Sequence, residues 1–160
     1  MVKMEIKGLL MDPVSNMPVV ILRDRDDGVF LPIWVGIFEA NAIALEMEKV
    51  ATPRPMTHDL LKNVLAQLGF KVERVVITEL KDNTFYARIR LTRDETSVDV
   101  DSRPSDAIAL ALRSNADIYV EEDVLEKSRS MRAEGDQPDP DRLKKWLEEV
   151  NPDDLGKYRM

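Results

Sequence analysis

The alternation of apolar and polar residues predicts three β-strands within the first 35 residues. Residues 2–12 alternate loosely, residues 17–24 (MPVVILRD) form a second apolar run, and residues 25–35 end in a third. An Asp-Asp-Gly sequence joins the second run to the third, which is typical of a hairpin. A helix is then predicted from residue 37 to about residue 50.

A second helix is predicted after the proline-rich break at residues 52–55. Thr57 is expected to cap it, and Gly69 is expected to end it. Its apolar residues recur at helical spacing and form one stripe, which comprises Leu60, Leu61, Val64, Leu65 and Leu68.

The strand pattern then starts again. Residues 71–81 and 84–91 predict two strands joined by a turn at Asp82-Asn83, and residues 96–101 predict a third. The next helix begins in DSRPSDAIALALR (residues 101–113), whose AIAL repeats that of VGIFEANAIALEME (residues 35–48) at an offset of 65. A four-residue identity can arise by chance, but the repeated order of three strands and a helix favours an internal duplication.

The sequence therefore predicts an α+β fold. A duplicated β-β-β-α unit is expected to form a mainly antiparallel sheet, or a barrel-like core, with packed helices. This domain is expected over residues 1–125, followed by a polar linker over 126–140 and a tail over 141–160. The tail contains a predicted short amphipathic helix at residues 141–150, which should dock on its own domain or on a partner because it is too short to be stable alone.

Composition narrows the classes of function. The chain is 44% hydrophobic and has no cysteine, which excludes a disulfide framework and a thiol nucleophile. No early apolar run is long enough for a signal peptide or a membrane span, so a cytoplasmic protein that does not contact membranes is expected.

The net charge is −7, but residues 1–113 carry 15 Lys and Arg against 17 Asp and Glu, so this part is nearly neutral. Overall acidity argues against a general nucleic-acid binder, although a local basic patch is compatible with it.

Glu39 and Glu46 are the first candidate pair of catalytic carboxylates. They lie seven residues apart on an apolar flank of the first helix, and their counterparts in the second copy are Pro104 and Ala111. Such a pair could bind a divalent metal, Mg²⁺ or Mn²⁺, or perform acid–base chemistry. A salt-bridged edge or a subunit contact is the simpler interpretation.

The start of the repeated helix supplies the next candidates. Ser102 is placed to cap the helix, Pro104 fits its first turn, and Asp106 favours its N-terminus through the dipole. Arg103 is not explained by capping, and a guanidinium beside free helix N–H groups is a plausible phosphate site. Asp106 shares a helix line with Arg113, and this line is expected to face solvent or a strand edge.

His58 is the only histidine, and it lies at the start of a helix with Arg54 in the rigid approach to it. Histidine titrates near neutrality, so it is a candidate acid–base group, although a surface or structural role is more common. Tyr86, Arg88 and Arg90 share the polar face of a strand and could stack a base and bind phosphates, unless this is simply a solvated outer face.

Four stretches together resemble the bifunctional nuclease family, long labelled a domain of unknown function. They are LPIWVGIFEANAIALEME, RPMTHDLL, FYARIRL and DSRPSDAIALALR, within roughly residues 1–125. The resemblance implies an α+β fold built from a duplicated strand–helix unit, and cleavage of both RNA and DNA, as known from plant members.

The resulting hypothesis is a nuclease that hydrolyses phosphodiester bonds of single-stranded or duplex nucleic acid, with assistance from a metal ion. Glu39, Glu46 and Asp106 are the predicted carboxylates, with Glu39 and Glu46 as metal ligands. His58 is the auxiliary acid–base group. Arg54 and Arg103 are the predicted phosphate-binding residues. The alternative is a non-catalytic interaction or regulatory module, since the first helix is apolar on two flanks and suggests a homodimer or other homo-oligomer.

Overall fold

The computed structural model of the chain describes residues 1–26 and 28–133. The strands are β1 (Val2–Met11), β2 (Pro18–Asp24), β3 (Phe30–Trp34), β4 (Lys71–Lys81), β5 (Thr84–Arg93), β6 (Thr96–Ser102) and β7 (Asp117–Val120). The helices are α1 (Ile37–Met47), α2 (Thr57–Gln67), α3 (Pro104–Ser114) and α4 (Glu122–Ala133).

The strands form one sheet in the order β3-β2-β1-β7-β4-β5-β6. Strands β1–β3 form one antiparallel meander and β4–β6 form another, and β7 joins the two by pairing antiparallel with β1 and parallel with β4. The mainly antiparallel α+β fold is therefore confirmed. The sheet is open, with β3 and β6 at its edges, so the barrel-like alternative is wrong.

The predicted repeat is reflected in the order of the elements and in their packing. Each meander is followed by a helix, α1 after β3 and α3 after β6, and the two helices contact each other. Three positions are buried in both helices at the offset of 65, namely Ala40 and Ser105, Ile43 and Ile108, Ala44 and Ala109. The same helix face is thus used against the sheet in each copy.

Local sequence accounts for most of the element boundaries. Asp82 and Asn83 both have positive φ, 52° and 60°, and form the two-residue turn between β4 and β5. Gly69, with φ of 81°, follows the end of α2 as predicted. Helix α1 starts at Ile37 as predicted but ends about three residues early, at Met47.

Both predicted helix caps are wrong. Thr57 is the first residue of α2 rather than its cap, and Asp59 instead accepts a hydrogen bond from the Met56 N–H at 2.9 Å. The Ser102 hydroxyl donates to the Arg103 carbonyl, and Arg103 is the residue before α3. Pro104 does occupy the first turn of α3, as expected.

Two elements at the end of the domain were not predicted. Strand β7 lies at the centre of the sheet, and α4 covers residues 126–133, the first part of the segment predicted as a linker. The rest of that linker and the amphipathic helix predicted at residues 141–150 lie outside the described residues. The division into domain, linker and tail stays a prediction.

Candidate functional site

A cleft of about 940 Å³ opens where the N-terminal ends of α1, α2 and α3 meet the strand pair β5–β6. Its lining includes Phe38 and Glu39 from α1, His58 from α2, and Arg103 and Asp106 from the start of α3. Three helix N-termini therefore border one cleft. Because each carries a partial positive charge, together they favour a bound anion.

His58 and Asp106 form a hydrogen-bonded pair within this cleft. The His58 Nε2 atom lies 2.9 Å from Asp106 Oδ1, although the two residues are 48 positions apart in the sequence. The His58 side chain is only 12% exposed, so it sits below the rim of the cleft. The pair joins the first turn of α2 to the first turn of α3.

Arg103 extends this pair into a chain of charged groups. Its Nε donates to Asp106 Oδ2 at 2.8 Å, and its Nη2 lies 2.9 Å from Glu39 Oε1. The Arg103 side chain is 65% exposed, so part of the guanidinium still faces solvent. One line of contacts thus runs from His58 through Asp106 and Arg103 to Glu39.

The two hydrogen bonds to Asp106 determine its ionisation. Burial on its own would raise the pKa of Asp106, but hydrogen bonds from His58 and Arg103 and the charge of Arg103 outweigh it and hold the pKa below its ordinary value. Asp106 is therefore ionised at neutral pH and can only accept hydrogen bonds. It follows that His58 donates through Nε2–H, and the neutral ring has its lone pair on Nδ1.

Glycine at the start of α1 makes room for Glu39. A methyl group at Gly36 would overlap the Glu39 carboxylate, which folds back over this residue. Gly36 precedes the first turn of α1 and has no side chain to cap the helix. The absence of a side chain at position 36 lets the carboxylate reach Arg103 from the first turn of the helix.

The side chain of Arg113 links helices α1, α2 and α3 to one another. It is 6% exposed, and its guanidinium donates to Asp59 Oδ1 at 2.7 Å and to the carbonyls of Ala109 and Ala42 at 2.9 Å. Burial would raise the pKa of Asp59, but hydrogen bonds from the Met56 N–H and from Arg113 lower it overall.

The expectation that the Asp106–Arg113 line faces solvent or a strand edge agrees with Asp106, which is partly exposed and lines the cleft beside the β5–β6 pair. It is wrong for Arg113, which is 6% exposed and contacts α1 and α2. The sequence gives no sign that Arg113 is a structural residue. Its partners on the other two helices, Asp59 and Ala42, lie 54 and 71 positions away, and no local pattern indicates them.

Four of the six candidate residues come together. Glu39, His58, Arg103 and Asp106 line the cleft, whereas Glu46 and Arg54 are not among its lining residues. Arg54 is exposed in the loop before α2. The roles of all six candidate residues in catalysis and in phosphate binding stay predictions.

The residues described offer no ready-made metal cage. Among residues 1–26 and 28–133, no group of three or more His, Asp or Glu side chains is arranged to hold an ion. Glu39 is paired with Arg103, and Glu46 does not line the cleft. A metal held by Glu39 and Glu46 together therefore does not fit this arrangement.

On the polar face of β5, Arg90 is engaged in an ion pair with the neighbouring strand. Arg90 donates to both carboxylate oxygens of Asp99 on the neighbouring strand, at 2.9 and 3.1 Å. Tyr86 differs, because it lies before the first pair of the β5–β6 ladder, Ala87 with Ser102, and lines the cleft. Of the three residues predicted to stack a base and bind phosphates, Tyr86, Arg88 and Arg90, only Tyr86 lines the cleft.

Fold and cleft together define an α+β domain with a histidine–carboxylate pair beside an exposed arginine. The model of the bifunctional nuclease domain family matches residues 20–132. An uncharacterized protein of Mycobacterium tuberculosis is 37% identical over 96% of this chain and 97% of its own length. The chain therefore belongs to the bifunctional nuclease domain family.

Plant relatives in the same family carry a functional name. Bifunctional nuclease 1 of Oryza sativa subsp. japonica is 27% identical over 69% of this chain, and bifunctional nuclease 1 of Arabidopsis thaliana is 28% identical over 71%. The matched region spans 34% and 36% of those proteins. No helix in the described part of the chain is long and apolar enough to cross a membrane.

Proposed function

We propose that this protein hydrolyses phosphodiester bonds of RNA and DNA in the cleft between α1, α2, α3 and the β5–β6 pair. Family membership supports the class of reaction. The observation that carries the proposal is the His58–Asp106 pair beside the exposed Arg103, in a cleft bordered by three helix N-termini.

His58 is the general base of the proposed reaction. Its neutral ring donates through Nε2–H to Asp106, which leaves Nδ1 to take a proton from the attacking water. In an in-line attack the leaving oxygen lies on the opposite side of the phosphorus, so it takes its proton from solvent, and the protonated ring releases its proton to water. Asp106 fixes the tautomer and stabilises the charged imidazole that forms in between.

Arg103 is the phosphate-binding group. A guanidinium has five N–H donors, and the contacts with Asp106 and Glu39 leave others for a phosphate oxygen. Glu39 fixes the guanidinium through a second nitrogen, Nη2. The partial positive charges of the helix N-termini add to the attraction for the phosphodiester.

A divalent cation remains part of the proposal as an aid to substrate binding. Glu39, Asp101 and Asp106 all line the cleft with one arginine, so the substrate phosphate adds negative charge to an acidic site. Mg²⁺ keeps several waters and needs only one or two carboxylates together with substrate phosphates. Chelation with EDTA should therefore lower cleavage, and addition of Mg²⁺ or Mn²⁺ should restore it. Cleavage that is insensitive to EDTA would remove the cation from the proposal.

Cleavage of fluorescently labelled RNA and DNA by His58→Asn tests the proposal. Loss of a general base should lower kcat/KM by roughly 10²- to 10⁴-fold. Lys62→Gln is the matched control, because Lys62 is exposed on the same helix as His58 but does not line the cleft, and it should cleave like the wild type. Equal activity of the wild type and His58→Asn, in samples purified side by side, would refute the assignment.

A second candidate function is a non-catalytic, homo-oligomeric interaction module. None of the residues of α2 is buried, and its exposed apolar residues include Leu60, Leu61 and Val64. An apolar helix face of this kind is typical of a protein interface. Light scattering should then show a dimer or larger oligomer that Val64→Asp dissociates. An oligomer that leaves RNA and DNA intact would favour this candidate over the nuclease.

A further inference from the structure

Two aromatic side chains border the cleft without belonging to the hydrophobic core. Phe38, in the first turn of α1, is 76% exposed, and Tyr86, near the start of β5, is 40% exposed. Neither is buried in the core nor packed against it. A single exposed aromatic needs no explanation, but two on the lining of one cleft beside charged groups form a defined surface.

Apolar neighbours extend this surface along the cleft. Met56, Leu61 and Val100 also line the cleft and are exposed by 39–44%. Glu39, next to Phe38 in the chain, contacts Arg103. An exposed cation and exposed rings therefore lie in the same cleft, which matches the alternation of phosphate and base along a nucleic-acid strand.

The depth of His58 distinguishes a single strand from a duplex. Its side chain is 12% exposed, whereas the aromatic rings and Arg103 are much more exposed. A duplex hides its base faces in the stack and is stiff. A single strand can bend to bring one phosphate down to His58 while it turns its bases outward onto aromatic rings.

We infer that the cleft binds single-stranded nucleic acid, with unstacked bases on Phe38 and Tyr86 and the adjoining phosphate at Arg103. The inference rests on the proposed function and names its substrate class. Stacking is tolerant of base identity, because every base has a π-face, so little sequence preference is expected. The aromatic rings thus make the cleft selective for a single strand over a duplex. His58 and Arg103 act on the phosphodiester backbone of the nucleic acid.

Binding to uncleavable ligands tests the inference separately from catalysis. The probes are a phosphorothioate thymidine 12-mer, the same backbone without bases, and the 12-mer as a duplex, each followed by fluorescence anisotropy with the full-length protein. The wild type should bind the single strand at least about tenfold more tightly than either of the others. Phe38→Ala and Tyr86→Ala should each weaken binding to the single strand by roughly 5- to 150-fold and leave binding to the base-free backbone within twofold.

Two further variants complete the test. Phe38→Trp should retain the affinity because it keeps a ring. Leu68→Ala should have no effect, because Leu68 is an exposed apolar residue just after α2 that does not line the cleft. Two results would overturn the inference: equal affinity for the single strand and the base-free backbone, or no effect of Phe38→Ala and Tyr86→Ala. Neither result would contradict the proposed cleavage reaction. Base-dependent binding without cleavage would uphold the inference and refute the proposed reaction.

Discussion

Arg103 is the residue on which the arrangement of the cleft depends most. Its guanidinium contacts Asp106 and Glu39 at once, and these two carboxylates come from different helices. A planar group with several donors can make both contacts and still present N–H groups to a phosphate. The ammonium of lysine is a point charge that cannot maintain this geometry.

Arg103→Lys is therefore expected to impair substrate binding although it keeps the charge. KM for a single-stranded oligonucleotide should rise roughly tenfold or more, since hydrogen bonds to charged groups contribute about 1.5–3 kcal/mol each. The kcat value should fall less, because His58 and Asp106 are retained. Steady-state kinetics measures both constants, and an unchanged KM would contradict the phosphate-binding role.

At the level of secondary-structure elements, α2 is held by the polar contacts of its first turn together with Leu65, which is partly buried and packs against the core. It contributes no buried residue to the core, yet it carries His58. The contacts that fix its first turn are those of Asp59 with Arg113 and of His58 with Asp106. The buried Arg113 also binds a carbonyl of α1, so one side chain sets the spacing of three helices.

Arg113→Met should destabilise the domain by about 2–4 kcal/mol, because removal of one partner leaves Asp59 and two carbonyls without their donor. Urea unfolding monitored by circular dichroism measures the loss. The same substitution at Arg90, whose ion pair with Asp99 is much more exposed, is the matched control and should cost far less. Equal effects at both positions would contradict the structural role of Arg113.

At the scale of the whole molecule, three aspartates link separate parts of the fold. Asp12 accepts hydrogen bonds from Trp34 of β3 and from Ser15 in its own loop, while Asp59 and Asp106 join the helices. Burial opposes ionisation at each of them, but hydrogen bonds outweigh it and lower each pKa below the ordinary 3.8.

Stability should consequently fall in acid. A carboxyl group with a lowered pKa in the folded chain contributes stability that is fully present above its unfolded pKa, near 3.8, and is lost as pH falls through the folded pKa. The free energy of unfolding should thus decrease progressively below about pH 4. Asp59→Asn should show a smaller decrease, measured by urea unfolding between pH 7 and pH 2.5. A wild type equally stable at pH 6 and pH 3 would contradict this account.

Features set by local pattern were predictable from the sequence, whereas features set by packing between distant residues were not. Strands β4, β5 and β6 were predicted to within two residues because alternation and turn residues are local signals. Strand β7 was missed, since a run of only four residues is too short to show a strand pattern. The comparison of the two copies does not distinguish Glu39 from Glu46. The packing of α1 against α3 does, because it brings Glu39 to the cleft and leaves Glu46 outside it.

The central claim is that His58 and Asp106 act as one unit in phosphodiester cleavage. A double-mutant cycle tests it most directly, with kcat/KM measured on a single-stranded RNA 12-mer for the wild type, His58→Asn, Asp106→Asn and the double variant. Each single variant should lose on the order of 10²-fold or more, and the double variant should lose no more than the worse single variant, because groups that work as a unit are not additive. Losses that multiply in the double variant, or four proteins with the same kcat/KM, would contradict the claim.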